Sequence, residues 1–128
     1  MSTQASDITR ASIWEDGDVT EMARFQINGA NAVQSDLSTI VRKIYDRAAG
    51  DTLVSTENLA VASVVFDTLQ TDGRWSRDET GYNFRDRIEA VNFPTGGRTY
   101  RVEYLFTGVS GEKFWIIFEH PVQNVLSS

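Results

Sequence analysis

The sequence contains no cysteine and only one histidine, His120. The first absence excludes a disulfide framework, thiolate zinc sites and thiol nucleophiles. The second leaves no multi-histidine metal site and a single candidate for any histidine-based triad. Lysine is scarce: of the 12 basic residues, only Lys43 and Lys113 are not arginine. Basic charge is in the minority, and 18 acids leave a net charge of −6, which argues against a nucleic-acid or anionic-membrane surface. Long hydrophobic runs are missing too. The longest, Phe114-Trp115-Ile116-Ile117-Phe118, falls far short of the roughly 20 residues a membrane span needs. The first residues, Met1-Ser2-Thr3-Gln4-Ala5-Ser6-Asp7, are polar and acidic without the features of a secretory signal, so synthesis in the cytoplasm is expected.

What is present is an ordinary globular composition, 41% hydrophobic and 11% aromatic over 128 residues, enough for one domain. Residues 1–12 read as a flexible N-terminal arm, small and polar, and 13–128 as a single domain. From Met22 to Ile27 the pattern alternates, Ala23, Phe25 and Ile27 against Met22, Arg24 and Gln26, and Asn28-Gly29 closes the strand. Ser38 to Asp46 is a second strand, with Ile40 and Ile44 on one face and Val41 and Tyr45 on the other. A short strand over Thr52–Val54 follows the Ala49-Gly50-Asp51 turn.

Leu59 to Gln70 supports two readings. A period of 3.6 gathers Val61, Val64, Val65, Thr68 and Leu69 into one stripe, with Asn58 as N-cap and Asp72-Gly73 as stop, and predicts one short helix at about 59–70. The β-branched content of the same stretch favours a strand. Beyond it, Tyr82, Phe84, Ile88 and Ala90 alternate against Asn83, Arg85, Arg87 and Glu89, interrupted on the inward side by Asp86. Tyr100, Val102, Tyr104 and Phe106 alternate against Thr99, Arg101 and Glu103, and Gly108-Val109-Ser110-Gly111 forms a hairpin loop. The returning strand, Lys113 to Glu119, is apolar on both faces. The expected core is Phe84, Tyr100, Val102, Tyr104, Phe106, Phe114, Ile116 and Phe118, in a mainly β, antiparallel β-sandwich with one short helix.

Chemistry-bearing clusters are weak. Glu15, Asp16, Asp18 and Glu21 offer carboxylates to calcium but lack the loop spacing of a dedicated site. Asp72, Asp78 and Glu79 flank Trp75 as glycosidase carboxylates flank an aromatic, yet Arg74 and Arg77 alternate with them and point to a neutralised, solvated loop. Ser110 and His120 have no motif around them, and His120 is expected to be exposed at a strand end. Gly96-Gly97 is a turn signal without the helix or lysine of a phosphate cradle. No catalytic residue, cofactor or metal is therefore expected. Trp14, Trp75, Tyr82 and Trp115 are either core area or a stacking platform for sugar rings. The arginine-rich balance suits contacts between subunits.

The succession Trp75, Asp78, Gly81-Tyr82-Asn83-Phe84, then Gly96-Gly97-Arg98-Thr99-Tyr100-Arg101-Val102-Glu103-Tyr104, then Gly111-Glu112, resembles small structural proteins of tailed bacteriophages over about residues 25–118. Such proteins are immunoglobulin-like β-sandwiches found in capsid decoration, neck and tail. This chain departs from an antibody-type domain in having no cysteine pair, and a helix at about 59–70 is foreign to a minimal sandwich. The resemblance implies a non-enzymatic virion protein whose partners are other virion proteins and copies of itself, with no nucleic acid and no membrane, oligomeric in the assembled particle. The alternative is a stand-alone carbohydrate-binding module. The expected interface residues are Ile8, Ile13, Trp14, Trp115 and Ile117, because a strand apolar on both faces needs a cover.

Overall fold

The computed structural model describes residues 9–15, 17–27, 29–71 and 80–124. The chain opens with two short strands, β1 (Thr9–Arg10) and β2 (Ile13–Trp14), then β3 (Val19–Ala23) and a small hairpin of β4 (Gln26–Ile27) and β5 (Ala30–Asn31). The long strands β6 (Leu37–Asp46) and β7 (Thr52–Leu59) follow. A single helical turn, α1 (Val61–Val64), leads into β8 (Val65–Gln70), and β9 (Tyr82–Ile88), β10 (Thr99–Gly108) and β11 (Lys113–Gln123) complete the order. The fold is mainly β, and no helix among the described residues is long and apolar enough to cross a membrane.

The larger sheet runs β1-β11-β10-β6-β7, with β2 also on β11; the smaller runs β3-β9-β8. Neighbours are antiparallel, except that β1 and β2 lie parallel to β11, Thr9 beside Phe118 and Ile13 beside Val122. The last residues of the expected arm are thus paired strand, and Ala11 N–H donates to the Glu119 carbonyl. Residues 1–8, Asp16, Asn28, the Trp75 loop over 72–79 and residues 125–128 lie outside the described residues.

Period-2 alternation decides the interior. Every second residue of β10 from Tyr100 to Gly108 is buried, as are Phe114, Ile116 and Phe118 of β11, and all eight expected core residues are buried. Phe84 of the smaller sheet meets Tyr104 and Phe106 of the larger one edge-on, at centroid distances of 4.8 and 5.4 Å. Contacts of this kind add about 0.5–1.5 kcal/mol each beyond the area they bury. The inner faces of the two sheets form one hydrophobic cluster.

Several boundaries differ from the sequence expectation. The helix at about 59–70 is a correction: only Val61–Val64 is helical, between two strands. The β-branched pair Val64-Val65 and the aromatic Phe66 after it lose χ1 freedom in a helix and fit a strand better. One turn suffices to carry the chain from the edge of the larger sheet to the smaller, which is why Val64 and Val65 are both buried in succession. The strand expected at Thr52–Val54 extends to Leu59, so Asn58 is a strand residue and not an N-cap. The strand expected over Met22–Ile27 breaks at Arg24-Phe25. There Asn83, expected to face outward, is 1% exposed. Its amide accepts from Phe25 N–H at 2.9 Å and donates to the Phe25 and Ala32 carbonyls at 3.0 Å each, satisfying the backbone that the bend frees.

Candidate functional site

The outer face of the larger sheet is not the polar surface that a half-solvated sheet usually presents. Register places Trp115 of β11, Leu105 of β10 and Val41 of β6 side by side in one cross-strand row. Ile117 occupies the next position along β11. All four side chains are half-buried. Among the described residues, α1 is one turn long and packs beside β6, β8 and β9, and Trp14 is itself 59% exposed.

A charged belt borders this row. Glu119 accepts from Arg47 Nη1 at 2.6 Å, Arg10 Nε at 3.2 Å and Arg101 Nη1 at 3.4 Å, tying β1, the β6–β7 turn and β10 to β11. Arg101 Nε also reaches Glu103 at 2.8 Å, and Arg47 Nε reaches Asp51 at 2.7 Å. With Lys43 and Lys113 in register on the same face, Arg10, Arg47 and Arg101 outnumber Asp51, Glu103 and Glu119. The face is basic on a chain whose net charge is −6. Individual surface pairs contribute about 0–1 kcal/mol, so the belt adds little to the stability of the fold.

The expected interface residues divide. Trp115 and Ile117 lie on this face, and Trp14, beside Gln123, continues it at the sheet margin. Ile13 turns the other way and packs against the hydrophobic cluster. Ile8 lies outside the described residues, as do Trp75 and its flanking carboxylates. Leu105 and Val41 carried a signal in the sequence, as apolar residues on the otherwise polar side of alternating strands.

Between the sheets lies a second constellation, which the sequence reading did not assemble. Glu21 of β3 and Asp86 of β9 stand directly opposite each other in register, both pointing inward. Asp86 Oδ2 accepts from Tyr104 O–H at 2.6 Å and from Arg42 Nη1 at 2.8 Å, while Arg42 Nη2 donates to Glu57 at 2.7 Å. Glu21 Oε2 lies 2.7 Å from His120 Nε2, and His120 Nδ1 lies 2.8 Å from the Ala11 carbonyl. His120, expected to be exposed, is 3% exposed: it continues the inward phase of Phe114, Ile116 and Phe118, and its ring stacks on Phe118. Burial raises the Glu21 carboxyl above its ordinary range, against the pull of His120. Burial pulls the His120 imidazole down, but the bond to Glu21, its charge and the Ala11 carbonyl outweigh it, so the net shift is upward. Burial also raises the Tyr104 hydroxyl well above its usual value, with the Asp86 charge adding to it.

The carboxylates once grouped as a calcium candidate part company: Glu21 turns inside, and Asp18 binds Arg87 and the Ala90 N–H on the surface. No cluster of His, Asp and Glu suited to a metal ion is found among the described residues. No protein-family model matches the chain, and no curated protein matches its sequence.

Proposed function

We propose that the chain is a non-enzymatic assembly protein, a structural component of a tailed-phage virion, which docks on neighbouring virion subunits through the outer face of its larger sheet. The observation that carries this reading is the half-buried apolar Trp115–Leu105–Val41 row with Ile117 on the outer sheet face, framed by a basic belt on an otherwise acidic chain. An apolar centre with an arginine-rich polar rim is the anatomy of a protein interface, and a tryptophan at the centre is the commonest kind of anchor. The virion context rests on the sequence resemblance. The sheet order supports an immunoglobulin-like sandwich: N-terminal strands parallel to the last strand, β11-β10-β6-β7 continuing from them, and β3-β9-β8 facing.

The test is Trp115→Glu, with folding followed by circular dichroism, oligomer mass by light scattering, and binding to purified capsids or tails by co-sedimentation. The expected variant is folded and has lost its oligomer or its particle binding. A folded variant with unchanged assembly refutes the docking face. The carbohydrate-binding reading has one observation of its own, the exposed Trp14 ring. A glycan-array signal abolished by Trp14→Ala would favour it over the assembly role.

A further inference from the structure

The buried His120 ring has an acceptor at each of its two nitrogens. Nε2 lies 2.7 Å from Glu21 Oε2, and Nδ1 lies 2.8 Å from the carbonyl oxygen of Ala11. A carbonyl oxygen only accepts, so Nδ1 carries a proton. At Nε2 the shared proton sits either on the ring or on the carboxyl. In both arrangements the pair holds one proton more than a neutral imidazole beside a carboxylate. The other groups around the ring are Phe118 stacked on it, Phe93 edge-on, and Tyr100, its cross-strand partner. Asp86, Arg42 and Tyr104 act on Glu21 from behind. Glu119, with the arginines it binds, lies on the opposite face of β11. Among the described residues, Glu21 is therefore the charge that answers the ring.

We infer that the His120–Glu21 pair is a proton-held latch for the N-terminal strands: when the extra proton leaves, residues 9–14 come off β11 while the two sheets stay folded. The remaining ring N–H then has two acceptors to serve. The carboxylate is charged and takes Nε2–H. The Nδ1 lone pair is left against the Ala11 oxygen with no proton between them. Turning the ring only exchanges the two nitrogens, and at 3% exposure it has little access to water. The Ala11 carbonyl has to withdraw, and Ala11 lies between β1 and β2. The rest of the attachment is slight. Beyond two-residue ladders it consists of Ala11 N–H on the Glu119 carbonyl, Glu15 N–H on the Gln123 carbonyl, the surface Arg10–Glu119 pair and Ile13 against the core. Short strands held by so few bonds belong to the low-stability end of a fold. The latched state binds the extra proton, so the latch is closed below the ordinary imidazole value of 6.5. It opens as pH rises through the folded value, which lies higher. Opening bares an edge of β11 and takes Trp14 from the margin of the outer face. The latch does not depend on the docking role proposed for that face.

Trypsin cleavage after Arg10 in the full chain reads the latch, followed by mass spectrometry from about pH 6 to about pH 9, the span in which imidazoles titrate. Each rate is divided by that of acetyl-Thr-Arg-Ala-Ser-amide, the sequence of residues 9–12, which removes the protease's own pH dependence. Circular dichroism follows the fold, and the ring ¹⁵N shifts of His120 report its protonation and tautomer. The expected normalised rate rises by at least about tenfold, the scale of one charge-assisted hydrogen bond. Its midpoint coincides with that of the ring titration, the circular dichroism signal is unchanged, and the ring above the midpoint is the Nε2–H tautomer. Glu21→Gln is the control. Its amide donates to Nε2 while a neutral imidazole keeps Nδ1–H on Ala11, so its normalised rate stays low and flat. A flat rate in the native chain overturns the latch, as does a rise that Glu21→Gln shares. A rise that accompanies loss of the circular dichroism signal is global unfolding and refutes local release. An Nδ1–H tautomer above the midpoint refutes the loss of the Ala11 bond.

Discussion

His120→Ala removes the imidazole that joins Glu21 to the Ala11 carbonyl, and leaves a carboxylate that was 3% exposed with no cation beside it. Breaking a buried pair by deleting one partner costs about 3–5 kcal/mol, mostly through the stranded charge. Glu21→Gln is the contrasting change. The glutamine amide can donate to Nε2 of a neutral imidazole while Nδ1–H still donates to Ala11, so the loss is about 1 kcal/mol. The pH dependence separates the cases. In the native chain both Glu21 and His120 titrate higher than the ordinary values of 4.5 and 6.5. The folded state therefore holds protons that the unfolded chain releases, and stability falls as pH rises: from 4.5 upward for Glu21 and from 6.5 upward for His120, until each folded value is passed. His120→Ala extends the Glu21 part of that fall to higher pH, because Glu21 loses the interaction that favoured its charge, and removes the part that began at 6.5 with His120. Glu21→Gln reverses the slope near neutrality: a buried imidazole without its carboxylate titrates low, and its contribution is lost as pH drops through 6.5 and below. Urea denaturation followed by circular dichroism from about pH 5 to about pH 9 measures all three curves. Parallel curves, or a His120→Ala loss under about 1 kcal/mol at neutral pH, would refute the reasoning.

Two further outcomes follow from the packing. Tyr104 is fully buried, so Tyr104→Ala should cost about 3–5 kcal/mol; Tyr104→Phe keeps the ring and gives up only the bond to Asp86, for about 1.5–3 kcal/mol, and equal melting temperatures for the two variants would contradict this division. Gly81→Ala should lower stability by about 1–3 kcal/mol, because φ is +103° there and an added Cβ would sit 2.4 Å from the Gln70 carbonyl oxygen; an unchanged thermal midpoint would show that the β8–β9 connection relaxes freely.

Much of this architecture is legible in the sequence where one face of a strand meets the core and the other does not. β10 alternates throughout, as do β6 from Ile40 to Ile44 and β11 from Lys113 to Phe118, because their partners bury one side only, and the expected core residues follow from that period. The Leu59–Gln70 stretch misleads because a single turn between two strands borrows the helical period for just long enough to cross from one sheet to the other. The buried polar groups are half legible. Arg42 falls between Ile40 and Ile44, Asp86 between Phe84 and Ile88, and His120 two residues after Phe118, each on the apolar phase of its strand. A charged residue on that phase announces that something inside must answer it. What answers it is set by the fold: Arg42 and Asp86 are 44 positions apart, Glu21 and His120 are 99 apart, and no local pattern spans such distances.

The polar layer also bears on why these two sheets face each other in one way. A purely apolar interface is non-directional, and two sheets of aliphatic and aromatic side chains can slide by a strand position at modest cost. Here Glu21 and Asp86 form a cross-strand pair of carboxylates on the smaller sheet, an arrangement that is unfavourable by itself. It is tolerable only where His120, Tyr104 and Arg42 of the larger sheet arrive opposite them at hydrogen-bonding distance. Sliding either sheet by one residue carries the carboxylates about 3.3 Å from these partners, beyond hydrogen-bonding distance, and sliding by two puts them against valine, isoleucine or phenylalanine. Each alternative strands at least one buried charge. The His120 ring extends the same constraint to the N-terminus by holding Ala11 between β1 and β2, so those short strands are fixed to β11 by a side chain as well as by backbone pairing. The register that this layer fixes on β11 is the one that turns Trp115 and Ile117 to the outside, so the polar interior and the apolar outer row are two consequences of one alternation.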